Sequence, residues 1–191
     1  MDEVTAFIAR VRDHYIEQFR AFAAKQKREC GVGASEVKLQ LSDKSELFRR
    51  MYCVDFIQKD DGEHRVIELQ PALFLKFDTI SGSFGAASLS IEHLRWDDVL
   101  IYHDLAIPPA DDISSWFDRW FDPEDSRMDE NADLSSVIHC LTIRSGVLSI
   151  DLGTAPPDAF WDILDILERG GATSIRVSSS RAEAGDEGTV V

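Results

Sequence analysis

The stretch Phe48–Phe77, FRRMYCVDFIQKDDGEHRVIELQPALFLKF, decides the fold class. Phe48, Tyr52, Val54 and Phe56 stand at even spacing before the DDGE turn, and Ile67, Leu69, Leu73, Leu75 and Phe77 follow it, alternating with Glu68, Gln70 and Lys76. A period of two is that of a strand with one buried face, because successive side chains leave the pleat on opposite sides. The segment is expected to be a long hairpin. Pro71 has no N–H to give a ladder, which marks an edge or a bulge in the second strand.

Towards the N-terminus the period changes to three and four: Val4, Phe7, Ile8, Val11, Tyr15, Phe19 and Phe22 form the stripe of a long amphipathic helix. Acids open it, Lys25, Lys27 and Arg28 close it in agreement with the helix dipole, and Gly31 is available to end it. Between this helix and Ser45 the chain reads as a loop with one short strand. Towards the C-terminus, TISGSFGAAS (79–88) supplies turn residues, and LSIEHL (89–94) and VLIYHDLAI (99–107) complete a meander of about four strands.

The prolines of IPPADD break the sheet, and Ile113, Trp116, Phe117, Trp120 and Phe121 then fall on one face of a helix with Asp111 or Asp112 as its cap. Pro123 disfavours helical geometry at Asp122 and ends it. SVIHCLTI and VLSIDL flank an RSG turn as a second hairpin, TAPPDAFWDILDILERGG is a third helix, and TSIRVS is a last strand. The expected fold is α+β: a mainly antiparallel sheet, made of the meander, a hairpin and a final strand, with three helices of which the first is long. One domain spans residues 1–177, and 178–191 is expected to be a disordered acidic tail.

Charge is distributed unevenly. Residues 1–95 hold 14 Lys+Arg against 15 Asp+Glu, whereas residues 96–191 hold 6 against 20, so the second half carries −14 of the net −15. Such a field repels phosphate backbones and anionic headgroups, which argues against nucleic acid and membrane surfaces as partners and favours basic proteins. Three cysteines far apart, with no CxxC pair, form neither a disulfide framework nor a zinc knuckle, and no signal-peptide-like run opens the chain; a cytoplasmic location is expected.

Motifs that suggest chemistry have simpler readings. SIDLGT (149–154) resembles the phosphate-binding hairpin of the actin and Hsp70 ATPases over six residues. Pro156 and Pro157 begin a helix where that family's second strand would run, so the segment reads as a strand end followed by a helix cap. GVGAS (31–35) follows a helix and lacks a Gly-Lys-Ser/Thr ending, so it reads as a helix exit. If residues 89–104 form a hairpin with an even loop, His93 and His103 share a face, but two imidazoles without a placed third ligand make no zinc site. His139 and Cys140 are strand neighbours and point to opposite faces.

The segment 97–133 contains 12 acids against 2 arginines. The EF-hand spacing fails in both registers: from Asp122 its sixth position is Arg127, and from Asp129 it is Leu134. No metal or cofactor is expected. Asp118, Asp122, Glu124, Asp125, Asp129, Glu130 and Asp133 are the candidate docking residues for a basic protein partner, since a surface of one sign speeds encounter and rejects wrong partners. The expected function is a non-catalytic interaction protein of adaptor, inhibitor, immunity or export-chaperone type, with homodimerisation left open. The element order resembles that of small acidic type III secretion chaperones, which implies the export-chaperone reading. The competing expectations are a small metal-assisted hydrolase using carboxylates of 118–133 with His93 or His103, and a structural domain.

Overall fold

The computed structural model describes residues 2–180 apart from 31, 61, 62, 73, 128 and 130. Gly31, Leu73, Glu130 and the tail from 181 onward, all of which carried expectations, lie outside the described residues.

The first element is α1 (Asp2–Glu29), closed by Lys27 and Arg28 in its last turn. Ile8, Val11, Tyr15, Ile16, Phe19 and Ala23 are buried along one face, as the three-and-four spacing requires. The chain then forms β1 (Gly33–Gln40), a short 3-10 turn at Phe48–Arg50, β2 (Met51–Asp60) and β3 (Glu63–Ile67). These three strands make an antiparallel sheet in the order β1-β2-β3. The segment expected to hold one short strand thus contributes eight residues of ladder.

The remaining strands are β4 (Ile80–Phe84), β5 (Ala87–Ile91), β6 (Val99–His103), β7 (Cys140–Arg144), β8 (Val147–Asp151) and β9 (Ser174–Ser178). They form a second sheet in the order β4-β5-β9-β6-β8-β7. Two helices interrupt the run: α2 (Ala110–Phe121) between β6 and β7, and α3 (Pro157–Arg169) between β8 and β9. The fold class is therefore α+β with three helices and a long first one. All strand pairings are antiparallel except β5 with β9.

The arrangement differs from a simple meander in four respects. First, β3 stops at Ile67 instead of running to Phe77, because Asp55 Oδ2 accepts the Leu69 N–H at 2.6 Å and Glu68 Oε2 accepts the Asp55 N–H at 3.3 Å. Side-chain carboxylates thus take over where the ladder would continue. Second, Cys53 to Ile57 are all buried, so β2 is covered on both faces, while β3 is exposed. Third, ISGSF is a strand, with the turn formed by Gly85 and Ala86. Fourth, β9 inserts between β5 and β6, pairing parallel with the one and antiparallel with the other. The four expected meander strands are shared between the two sheets.

Helix α2 follows its pattern closely: Ile113, Trp116, Phe117, Trp120 and Phe121 are all buried. Phe117 stacks on Phe121 with centroids 4.7 Å apart, and Phe48 meets Phe117 edge-on at 5.0 Å. The indole N–H of Trp116 donates to Ala159 O at 2.9 Å, which ties α2 to α3 and satisfies the polar end of a ring that is otherwise apolar. Pro109 occupies the N-cap position; Asp111 and Asp112 lie in the first turn, where their charge complements the dipole without capping. Asp122 ends the helix in the left-handed conformation at φ 53°. At the other end of the chain, Ser178 belongs to β9 and the buried Ser179 accepts the Arg95 N–H through its hydroxyl at 2.9 Å. The core therefore extends past residue 177.

Candidate functional site

The acidic loop after α2 is pinned from within. Asp122 is buried, and its carboxylate accepts the N–H groups of Ser126 and Arg127 at 3.1 and 2.9 Å as well as the Ser126 hydroxyl. Burial alone would raise its pKa, but these bonds and the charge of Lys38 hold it below the usual aspartate value. Lys38, on β1, donates to the Asp122 carbonyl and to the Asp125 carboxylate. Asp118, on α2, forms a two-pronged pair with the Arg49 guanidinium. At the far end the Ser135 N–H donates to Glu36 Oε2 at 2.8 Å. Of the expected docking residues, Asp118, Asp122 and Asp125 are thus engaged by the fold itself. Glu124, Asp129 and Asp133 are exposed, with Asp129 also accepting the Asn131 N–H at 2.9 Å. Glu130 lies outside the described residues.

The two histidines do not meet. His93 is exposed and lies beyond the end of β5, whereas His103 is buried in β6, and β9 runs between the two strands. The hairpin that would have paired them does not form. Among the described residues no group of three or more His, Cys, Asp or Glu side chains is arranged to hold a metal ion.

A different histidine gathers the carboxylates. His139 is 2 % exposed and lies where the first sheet meets the second. Its carbonyl accepts the Cys53 N–H from β2 at 2.7 Å, and its own N–H donates to Asp151 O on β8 at 2.9 Å. Around the ring, Nδ1 stands 2.9 Å from Asp55 Oδ1 and 3.9 Å from Asp151 Oδ2, while Nε2 stands 3.7 Å from Glu36 Oε1. Neither ring nitrogen makes a straight hydrogen bond, so these contacts are held by charge more than by direction. Phe19 covers the imidazole edge-on at 5.8 Å.

Each carboxylate is fixed separately. Glu36 interrupts the β1 register with a left-handed φ of 53°, a strained conformation for a residue with a side chain. It accepts the Thr154 hydroxyl as well as the Ser135 N–H, and Thr154 Oγ1 in turn accepts the Val137 N–H at 3.3 Å. Asp151 accepts the Gly153 N–H at 2.8 Å, and Arg12 on α1 donates to the carbonyls of Thr154 and Ala155 at 3.2 Å. The SIDLGT turn is therefore absorbed by this network. Thr154 does not cap α3, whose N-cap is Pro156.

The electrostatic consequences follow from one imidazole set among several acids. Burial by itself would discharge His139, and the Cys53 thiol is too high, at about 12, to oppose that as a thiolate. The carboxylates of Asp151, Asp55 and Glu36 overcome burial and hold His139 well above the ordinary histidine value. Glu36 responds in the opposite sense: burial pushes it up, but His139, Thr154 and the Ser135 N–H bring it below the usual glutamate value. Asp151 is pushed up to about 7 by burial and by the negative charges of Asp55 and Asp97, against the pull of His139. Its side chain keeps 27 % of its surface open to solvent, which makes it the member of the cluster that can exchange protons. Glu68 is likewise raised to about 7, by burial and by Asp55. It lies at the surface, however, where solvent weakens both effects, so Asp151 carries the argument.

Among the described residues, concavities also lie elsewhere. One, with about 270 Å³ of free space including its open mouth, is bordered by His14, Tyr15, Arg95, Trp96 and Asp97. Another, about 550 Å³ and shallower, runs between α2 and α3, where ion pairs Arg119–Asp162 and Arg169–Asp165 span or line it. Comparison of the chain with protein-family models, with curated proteins and with solved structures yields no match.

Sequence reasoning passed over Glu36 and Asp55, weighed His139 only against Cys140, and met Asp151 only within SIDLGT. A signal was present in MYCVDFIQK: Asp55 sits in the middle of five consecutive buried residues, a position a carboxylate occupies only when it is paired.

Proposed function

We propose that the chain is an interaction protein that presents the carboxylates of residues 122–133 to a basic protein partner. The observation that carries this reading is the division of labour in the loop. Asp122, Asp125 and the Ser135 N–H are fastened to β1 and to the loop's own backbone, while Glu124, Asp129 and Asp133 face solvent. Anchors at Asp122, Asp125 and Ser135 lower the cost of ordering the described part of the loop on binding, and preorganisation of that kind favours affinity. A cytoplasmic setting fits the three cysteines, all of which are free thiols. No helix among the described residues is long and apolar enough to cross a membrane.

The test places an equal charge change at two sites. One variant carries Glu124→Gln, Asp129→Asn and Asp133→Asn; the control carries Glu3→Gln, Glu17→Gln and Glu29→Gln on the exposed face of α1. Binding of a fluorescent oligolysine peptide is followed by anisotropy at low and at physiological salt. Three exposed charge pairs contribute roughly 0.2–1 kcal/mol each, so the loop variant is expected to bind about 3- to 150-fold more weakly than the control, with a shallower salt dependence. Equal affinity of the two variants would sink the assignment of the surface to this loop.

A further inference from the structure

The cluster around His139 joins the two sheets and also holds the acidic loop. Glu36 and Lys38 are neighbours on the same edge of β1: Glu36 accepts from Ser135 at one end of the loop, and Lys38 donates to Asp122 and Asp125 at the other. Glu36 is meanwhile bound to His139 and Thr154, so the charge state of the buried cluster bears on the loop through two residues of one strand.

We infer that Glu36, Asp55, His139 and Asp151 form a proton-operated latch. With one carboxylate of the cluster protonated, the imidazolium faces two negative charges and the loop is fastened; when that proton leaves it faces three, and the added negative charge loosens Glu36 from Ser135 and Thr154. The regulatory consequence rests on the docking role proposed for the loop, whereas the latch is a property of the chain alone.

The charge balance supports this inference from every side of the cluster. From α1 comes Tyr15, whose phenol is raised well above its usual value by burial and by the surrounding acids, and so stays neutral. From β2 and β7 come the Cys53 and Cys140 thiols, both pushed up to about 12 and therefore also neutral. Lys38 lies beside Glu36 on β1, and Asp97, paired with Arg95 at 3.5 Å, faces the cluster from the connection before β6. Glu68 borders Asp55. Close to neutrality the group of the cluster that changes charge is Asp151, at about 7, while Glu68 lies at the surface, where solvent screens its effect. Once ionised, Asp151 adds its charge to the carboxylates already gathered around one imidazolium in a region of low dielectric.

Hydrogen exchange followed by NMR on the intact chain tests the latch without any partner. Protection factors, corrected for intrinsic exchange, are measured from pH 6 to pH 8 at the amides of Ser135, Val137 and Cys53, with Leu164 in α3 as the internal reference. A group titrating at about 7 loses its proton about tenfold over that range, so protection at the three amides is expected to fall by about tenfold while Leu164 is unchanged. In Asp151→Asn, which keeps the shape of the protonated acid, the three amides are expected to stay protected at both pH values. A flat wild-type profile overturns the latch, and so does a pH dependence that survives Asp151→Asn. Should that variant fail to fold, the wild-type profile and its midpoint decide the matter alone. Loss of the latch leaves docking standing, and equal oligolysine binding by the two loop-test variants leaves the latch standing, so the two readings fail separately.

Discussion

Gly153 offers the sharpest test of how tightly the cluster is packed. Its φ is +50°, and a Cβ built there stands 2.6 Å from both Cγ and Nε2 of His139 and nearer still to Cδ2. The ring cannot retreat, since Phe19 lies against it and its backbone is bonded both to Cys53 and to Asp151. Gly153→Ala therefore incurs two separate costs: about 1–2 kcal/mol for placing a side chain in the left-handed region, and about 1–3 kcal/mol for overpacking. Gly171→Ala isolates the first of these, because Gly171 also has a positive φ, +94°, but has open space where the Cβ would stand. Thermal and urea unfolding of both variants measures the difference. Gly153→Ala is expected to lose about 2–5 kcal/mol, equivalent to roughly 5–20 °C for a chain of this size, and Gly171→Ala about 1–2 kcal/mol. If the two variants lose the same stability, the ring is not held as tightly against this turn as argued, and the close fit of SIDLGT around His139 is refuted.

Removing the imidazole charge itself by His139→Gln is expected to destabilise by about 3–5 kcal/mol, since it leaves buried carboxylates without their cation; the urea midpoint at constant m-value reads the loss. The stability of the wild type is expected to decline as pH rises through neutrality. Asp151, raised to about 7 from its ordinary 3.8, holds in the folded state a proton that the unfolded chain has released, an advantage that diminishes between about pH 4 and 7, and the contribution of raised His139 is lost above 6.5. Glu36 acts in the opposite direction, its contribution disappearing as pH falls below about 4.5, so the urea midpoint plotted against pH should peak on the acid side of neutrality. Phe117→Ala should cost about 3–5 kcal/mol by emptying the centre of the Phe48–Phe117–Phe121 stack, with loss of near-ultraviolet dichroism at lower denaturant. Iodoacetamide at pH 8 should modify Cys53 and Cys140 far more slowly in the native chain than in urea, because both thiols are pushed up to about 12; equal rates on peptide mapping would contradict that environment.

The elements were legible where one rule governed them. The stripe of α1 and the aromatic face of α2 follow from helical period alone; the α2 face is fully buried, and in α1 Ile8, Val11, Tyr15 and Phe19 are buried while Val4, Phe7 and Phe22 are half-buried. Turn residues located the β7–β8 hairpin, although β7 begins at Cys140 and not at Ser136, because residues 135–139 are occupied in crossing from the acidic loop to the junction between the sheets. Strand neighbours were not legible. Residues 89–91 and 99–103 look like consecutive strands of a meander, yet β9 lies between them, and nothing local to either strand records that a segment some seventy residues further on will take the place beside it.

The site was hidden for a related reason. Glu36, Asp55, His139 and Asp151 come from four separate segments, and each is inconspicuous in a chain with 35 acids. What distinguishes them is burial, which alternation alone misjudged: a period of two assigns one face of β2 to solvent, and on that reading Asp55 needs no partner. Once β2 is covered on both faces, the same aspartate must find a cation, and His139 is the one that the second sheet brings to it. The conspicuous acids behave in the reverse way. Exposed carboxylates such as Glu124, Asp129 and Asp133 create a field without requiring a partner in the fold, so their abundance said little about where the chain's own electrostatics are concentrated. The loop and the buried cluster are nevertheless one system, since β1 supplies Glu36 to the cluster and Lys38 to the loop two residues apart. A charge change that shifts β1 at Glu36 cannot leave Lys38 untouched.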